Sequence, residues 1–302
     1  MLAPMARPVR VGIQLPEAER IVPIREYIAM ARAAESVGFD SVWVGDHLLY
    51  RDGDEERGPL EALTLIASLA ASTDRIVLGP LVACLPFREP VILAKMAATL
   101  DEISGGRLTL GVGAGWNRPD FDAPGIPFED RVGRTIEAFD IVRRLLAGER
   151  VTCSGTWYRA DDAVLLPPPT HRVPLMVGST GPRMLRATLA SADAWNLWGP
   201  WRGNDPAGFA RENARVSTIA SRLGRDPSEI SRSVCVFTAM KLAPGEEPVD
   251  EGVEPLSGTT DDIAAGLAAF ADAGADEVIL IPSPNTERAM HRFGEVLERL
   301  DA

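Results

Sequence analysis

Short apolar, β-branched runs alternate with longer segments whose apolar residues recur at helical spacing, and the alternation continues from one end of the chain to the other. The apolar runs predict strands at residues 9–15, 41–44, 75–82, 107–112, 173–177, 192–197, 232–238 and 276–281. The 3.6-residue period predicts helices at 24–37, 59–71, 90–103, 131–146, 182–191, 206–223, 261–273 and 285–300. Strand followed by helix, repeated in this way, builds parallel βα units, and eight such units close a (β/α)8 TIM barrel. An open doubly wound sheet would need a reversal of strand order that a sequence does not display. Eight units fill the length, which puts the barrel ahead.

Local punctuation agrees with these edges. Gly38 and Gly274 stand just past two helices, where a left-handed residue ends the helix, and Pro90 and Pro182 stand at helix starts. Two segments break the rhythm. Residues 148–172 carry Trp157-Tyr158 and then Leu165-Leu166-Pro167-Pro168-Pro169, an extended insertion between the fourth helix and the fifth strand. Residues 239–257 are rich in Pro, Gly and acids and follow the seventh strand, on the face where barrel enzymes keep their chemistry. They read either as a mobile lid or as a solvated loop with no role.

Composition narrows the function class. With 46% hydrophobic and 25% charged residues the chain has enough apolar surface for a full core, and 302 residues suit one barrel domain spanning 1–302. The net charge of −12 repels phosphate backbones and anionic lipid surfaces, so neither a nucleic acid nor a membrane is expected as a partner. An anionic ligand must then be held locally, by backbone N–H groups and a few arginines. Cys84, Cys153 and Cys235 are widely spaced, without a metal or redox pair, and no leader or long apolar segment stands out. These features lead us to expect a cytoplasmic protein acting on a small molecule, with no metal site.

Candidate chemistry collects at predicted strand ends. The second strand leads into Gly45-Asp46-His47, putting a carboxylate and an imidazole at the rim, where Asp46 could set the tautomer of His47 and His47 could carry a proton. Alternatively His47 caps the strand or packs under a loop. Gly79-Pro80 interrupts the third strand, so a bulge or unusual peptide geometry is expected near 79–82. The glycines of Gly111–Trp116 allow a ligand to approach the backbone, but their spacing is not that of a Rossmann turn. Gly178-Ser179-Thr180-Gly181-Pro182-Arg183 leads into a helix, where exposed N–H groups and Arg183 suit a phosphate or the hydroxyls simply cap the helix. The sixth strand ends in Asp193-Ala194-Trp195-Asn196-Leu197-Trp198-Gly199-Pro200-Trp201, three indoles that can wall a flat pocket or fill the layer between barrel and helices, and a site role is assigned to Trp195, Asn196 and Trp198 alone. His171 and His291 have no partner pattern and are expected at the surface.

Taken in order, these motifs resemble the luciferase-like superfamily of flavin- and coenzyme F420-dependent oxidoreductases. The resemblance rests on Gly38-Phe39-Asp40-Ser41-Val42-Trp43 with Asp46-His47, on Lys95-Met96-Ala97-Ala98-Thr99-Leu100-Asp101 with Ser104-Gly105-Gly106-Arg107, on Gly111–Trp116, on Gly178–Arg183, and on Asp193-Ala194-Trp195-Asn196. It implies a TIM-type barrel, commonly a homodimer, with a flavin-type ring resting on a third-strand bulge that holds a non-prolyl cis peptide. Leu81, Val82 and Ala83 would line the ring, Gly113, Ala114 and Gly115 would border it, and Gly178, Ser179, Thr180 and Gly181 would take the phosphate. Asp46 and His47 would stand by the reactive ring atom, with His47 as the proton carrier. Members that oxidise a sugar phosphate with coenzyme F420 place a Glu where Trp116 stands here. Trp116 cannot relay that proton, so an apolar substrate in a pocket with Trp116, Trp195, Asn196 and Trp198 is expected instead. The resemblance implies a coenzyme F420-dependent oxidoreductase first, an FMN-dependent monooxygenase second, and a non-catalytic flavin-binding barrel third.

Overall fold

The computed structural model describes residues 7–240 and 252–302. From the N-terminus the elements run β1 (Arg10–Gln14), α1 (Ile24–Val37), β2 (Ser41–Val44), the small strands β3 (Tyr50–Asp52) and β4 (Glu55–Arg57), α2 (Ala62–Ala70), β5 (Val77–Pro80), β6 (Ala83–Cys84), α3 (Pro90–Ser104), β7 (Leu110–Gly113), α4 (Pro119–Asp122) and α5 (Arg131–Leu146). Next come β8 (Val151–Ser154), β9 (Arg159–Ala163), β10 (Leu175–Gly178), α6 (Pro182–Thr188), β11 (Ala194–Trp198), α7 (Pro206–Arg222), β12 (Ser231–Met240), β13 (Leu256–Gly258), α8 (Thr260–Asp272), β14 (Glu277–Pro282) and α9 (Glu287–Asp301). Each predicted strand and helix is present, with ends displaced by a few residues where short loops take up the slack.

The main sheet is parallel and runs β5, β2, β1, β14, β12, β11, β10, β7, β6. Its two ends are halves of one strand. β5 pairs with β2 in the register Val42 to Leu78, the ladder breaks after Pro80, and β6 resumes on the other side against β7, with Ala83 opposite Val112. The Leu81–Val82 peptide between the halves is cis, as the resemblance implied. Backbone bonds from Leu78 N–H to Arg107 O, 3.0 Å, and from Thr109 N–H to Leu78 O, 2.9 Å, seal the seam. The result is a closed eight-stranded TIM barrel, and the expected irregularity at 79–82 is the place where it closes.

Glycines decide what fills the barrel. Trp43 points inward and is buried, its indole N–H donating to Ser41 Oγ at 2.7 Å. A Cβ at Gly79 would lie 2.7 Å from that indole and 2.1 Å from Thr109 O, and one at Gly12 would lie 3.0 Å from its nitrogen. Only a strand without a side chain at those positions leaves space for the ring. Above Trp43, Met176, Cys235, Phe237, Ile279 and Ile281 fill the interior up to the floor of the cavity, with Leu81 and Val82 packed on them. A larger apolar layer lies between strands and helices.

Three features depart from the one-dimensional reading. The insertion at 148–172 contains an antiparallel hairpin of β8 and β9. A second hairpin, β3 with β4, follows the second strand and was not foreseen, because its Arg and Glu side chains lie in the open and carry no apolar alternation. Of the segment 239–257, residues 241–251 lie outside the described residues, while its end forms β13, paired with β12 from Thr238 to Met240.

Arg107 shows how the closed end is fastened. Its guanidinium donates to Ser104 O, Thr73 Oγ1, Ile76 O, Ala70 O and Thr73 O, all between 2.7 and 3.0 Å, taking up carbonyls left open at the end of α2. Hydrogen bonds to a charged donor contribute about 1.5–3 kcal/mol each, net of the water they replace, and such contributions are not additive. Arg107→Ala should therefore lower the stability by at least about 2 kcal/mol in urea denaturation, and Arg107→Lys should restore little, because an ammonium cannot span these acceptors.

Candidate active site

A cavity of about 760 Å³ opens at the C-terminal ends of the barrel strands, a volume suited to a small organic ligand. Strand alternation determines which predicted residues reach it. Leu81 and Val82 enter it from the seam, Gly113, Ala114, Gly115 and Trp116 from the end of β7, Gly178, Ser179, Thr180 and Gly181 from the end of β10, Asn196 and Trp198 from β11, and Asp46 and His47 from beyond β2.

Three predicted residues are not brought there. Ala83 is buried on the opposite side of its strand, in the layer under the helices. Trp195 points the same way as Leu197, outward against Phe209 with ring centroids 6.1 Å apart, while Asn196 and Trp198 point inward. Arg183 is exposed on α6 and absent from the cavity wall.

His47 is held by residues the sequence does not place near it. Its Nδ1 lies 2.6 Å from Asp120 Oδ2 and its Nε2 lies 3.4 Å from Glu17 Oε1. The other Asp120 oxygen accepts from the N–H groups of Leu48 and Leu49, both at 2.8 Å, which locks the loop carrying the imidazole. Glu17 also accepts from Tyr50 Oη at 3.1 Å and from Gln14 Nε2 at 3.3 Å. Asp46 does not orient His47, correcting the expectation from its adjacency. It faces the other way, accepting from Cys84 N–H at 2.8 Å and from both terminal nitrogens of Arg88 at 2.7 and 2.9 Å. Neighbours in sequence beyond a strand end point apart, and the bidentate guanidinium satisfies a carboxylate that is otherwise out of water.

This arrangement moves protons onto and off particular atoms. Burial opposes the charge on His47, but the hydrogen bond it donates to Asp120 and the charge of Glu17 outweigh it and raise the imidazole above its ordinary value. Burial also acts on Asp120, yet the bonds from His47 and the loop amides hold that carboxyl low. At Glu17 burial wins over the pull of His47 and raises the carboxyl. Burial raises Tyr50 too, so its hydroxyl stays protonated and donates to Glu17. With Asp120 engaged at Nδ1, Nε2 is the imidazole nitrogen that faces Glu17, at the cavity wall.

Gln14, Glu17, Tyr50 and Asp120 were missed by the sequence reading, which weighed Trp201 only as part of the strand-six aromatic cluster. Gln14 ends β1 and Glu17 follows it, much as Asp46 and His47 follow β2, so the same strand-end rule would have found them. Asp120 gave only Pro119, a helix-start signal with no chemistry attached. The 178–181 loop is braced by two further unforeseen groups: Arg202 donates to Thr180 Oγ1 at 3.4 Å and Arg215 donates to Thr180 O, while both pair with Glu212. His171, although exposed, pairs with buried Asp101 at 3.1 Å, and His291 is exposed.

A closed parallel barrel with a ligand-sized cavity at its catalytic mouth and a carboxylate-held imidazole in the wall is an enzyme scaffold of the (β/α)8 class. Residues 6–249 match the luciferase-like monooxygenase family. The chain belongs to that family and is an oxidoreductase. It is 32% identical over 229 residues to an uncharacterized protein of Mycobacterium tuberculosis, covering 70% of this chain and 78% of that one. It is 41% identical over 174 residues to an F420-dependent glucose-6-phosphate dehydrogenase of Beutenbergia cavernae, covering 56% and 51%. An F420-dependent secondary alcohol dehydrogenase in complex with an F420-acetone adduct shares the fold at a TM-score of 0.81, 21% identical over 97% of this chain and 99% of that one. Among the described residues no helix is long and apolar enough to cross a membrane, and no cluster of His, Cys, Asp and Glu could hold a metal ion.

The raised imidazole makes a pH prediction with a definite sign. A histidine favoured as imidazolium in the folded state adds stability that is complete below its unfolded value, about 6.5, and is lost as pH rises through the folded value. Asp120→Asn should bring the His47 titration down when followed by NMR of the ring protons. Its stability deficit against the parent should be larger at pH 6 than at pH 9; an equal deficit at both would show that Asp120 acts on the loop amides alone.

Proposed function

We propose that this protein is a coenzyme F420-dependent oxidoreductase acting on a small, fairly apolar organic substrate. The observation that carries the reading is the juxtaposition, in one cavity, of a flat apolar shelf and a carboxylate-held imidazole. The 41% identity to an F420-dependent dehydrogenase supports the choice of cofactor.

The residues fit such a group. Val82 rises between Gly113 and Gly178, and a Cβ on either glycine would come within 2.6 or 2.9 Å of its methyls, so the shelf exists only because both positions lack side chains. Leu81, Val82 and the 113–115 backbone would hold the ring. The loop at 178–181 would hold the phosphate: Ser179 and Thr180 line the cavity, the Thr180 N–H has no acceptor among the described residues, and Arg202 with Arg215 supplies local positive charge in an acidic chain. Gln14 Oε1 is buried at the cavity wall without a partner, an acceptor available to a bound molecule. When bound, the deazaflavin supplies hydride transfer to or from a substrate carbon. His47 would then move the accompanying proton through Nε2, with Glu17 as the next carrier and Asp120 and Tyr50 as positioning residues. Leu81, Phe237, Ile281 and Trp198 would exclude water from the reacting carbon.

Calorimetric titration with coenzyme F420 and, separately, with FMN tests the cofactor. Stoichiometric binding of the deazaflavin with weak FMN binding is the expected result; the reverse would replace this reading with an FMN-dependent monooxygenase. Once a substrate is in hand, His47→Ala should lower kcat by about 10²–10⁴-fold, with a smaller change in cofactor affinity. Full turnover in that variant would remove the proton-transfer role.

A further inference from the structure

We propose that the cavity selects an uncharged substrate bearing a flat aromatic or conjugated ring, laid against Trp116 and Trp201, and turns away anionic substrates. The inference rests on the oxidoreductase reading above and assigns the substrate class of that same site.

The chain buries Trp43 and Trp195 almost completely, yet leaves Trp116 and Trp201 54% and 56% exposed, and both of these line the cavity. Two large indoles left in water at the entrance of a cavity have desolvation still to gain, and a ring laid on them collects it. They meet edge to face, with centroids 6.0 Å apart at 90°. Trp116 continues the band toward the proton carrier, 5.5 Å from the His47 ring at 68° and 6.3 Å from Tyr50. The band therefore runs from the loop after β11 to the loop after β2, and a substituent at the edge of a bound ring would lie beside His47.

The band is built in advance of any ligand. Gly115, at φ +73°, turns the chain into Trp116, and a Cβ there would strike Phe121 at 2.8 Å. Trp201 sits in a short 3₁₀ turn at Gly199–Arg202, closed by Gly203 at φ +92°. Rings held this way lose little freedom on binding, which favours a rigid flat partner over a flexible one.

Charge supplies the second half of the selection. Glu17, Glu19 and Asp120 line the cavity, and Asp46 is already neutralised by Arg88. Among the described lining residues the positive groups are Arg57 on exposed β4 and His47, whose charge is shared with Asp120 and Glu17. Arg202 and Arg215 are engaged at Thr180 and Glu212, and Arg202, beside the band, gives a further N–H to the Trp201 carbonyl at 2.9 Å. A carboxylate or phosphate placed on the aromatic band would enter a negative field with no pair of cations to hold it.

Calorimetry with three probes of matched size tests this: naphthylmethanol, naphthoate and the saturated decalinylmethanol. Naphthylmethanol should bind about tenfold tighter than either of the others, the scale of one aromatic contact plus one repelled charge. Trp116→Ala should abolish its advantage over decalinylmethanol, and Trp116→Phe should keep part of it. Trp201→Ala gives a second, independent truncation, and neither exposed indole belongs to the core. Equal binding of naphthoate or decalinylmethanol by the parent would overturn the inference, as would an undiminished aromatic preference in both alanine variants. Titrating coenzyme F420 and FMN into the same samples separates the two readings. A cofactor that binds without the probe preference sinks the substrate class alone. The preference without either cofactor supports the aromatic site and sinks the cofactor.

Discussion

The site depends on a change of neighbour within one strand. The third barrel strand pairs with β2 over Val77–Pro80 and with β7 over Ala83–Cys84, so Leu81 and Val82 stand at the switch, Leu81 keeping one bond to β2 through its N–H to Val44 O at 2.8 Å. They project over the packed interior of Trp43, Met176, Phe237 and Ile281 and make the apolar floor of the cavity. The two strands beyond them must then be bare: Gly113 and Gly178 approach Val82 within distances no Cβ could share. A side chain at either glycine would fill the shelf, and an uninterrupted third strand would leave no shelf at all.

Around that floor, polar groups divide into those that hold and those that react. The pair of Asp46 with Arg88 is buried and bidentate and ties the end of β2 to the turn after β6. Asp120 holds one imidazole nitrogen and two amides, so it fixes both the ring and the loop it stands on. What remains free to exchange a proton is the contact between His47 Nε2 and Glu17, where burial raises the carboxyl and two carboxylates raise the imidazole.

An acidic chain can still present local positive charge, because distance separates the charges. Arg202 and Arg215 stand at the 178–181 loop, on the opposite side of the cavity mouth from Glu17 and Glu19, and exposed charges are screened over about 8–10 Å at ordinary salt. The cavity thus has arginines at one edge and carboxylates at the other, with an aromatic band between them.

The hydrophobic pattern alone was enough for the eight βα units, their order and the strand ends that face the site, because alternation and helical period are local consequences of which side chains can be buried. It was also enough for the interruption at Gly79-Pro80, since a proline and a glycine weaken any central strand. Other assignments required the folded barrel. Trp195 and Trp198 look alike in one dimension, and only the direction of β11 sends one outward and the other into the cavity. Asp46 and Asp120 were separated the same way: the nearer acid turns toward Arg88, and the one 73 residues from His47 in sequence reaches its ring. Local sequence determines how a segment curls and which of its faces is apolar. Which polar atoms then meet depends on loops from different strands converging at one end of the barrel, and that convergence is a property of closure rather than of any single segment.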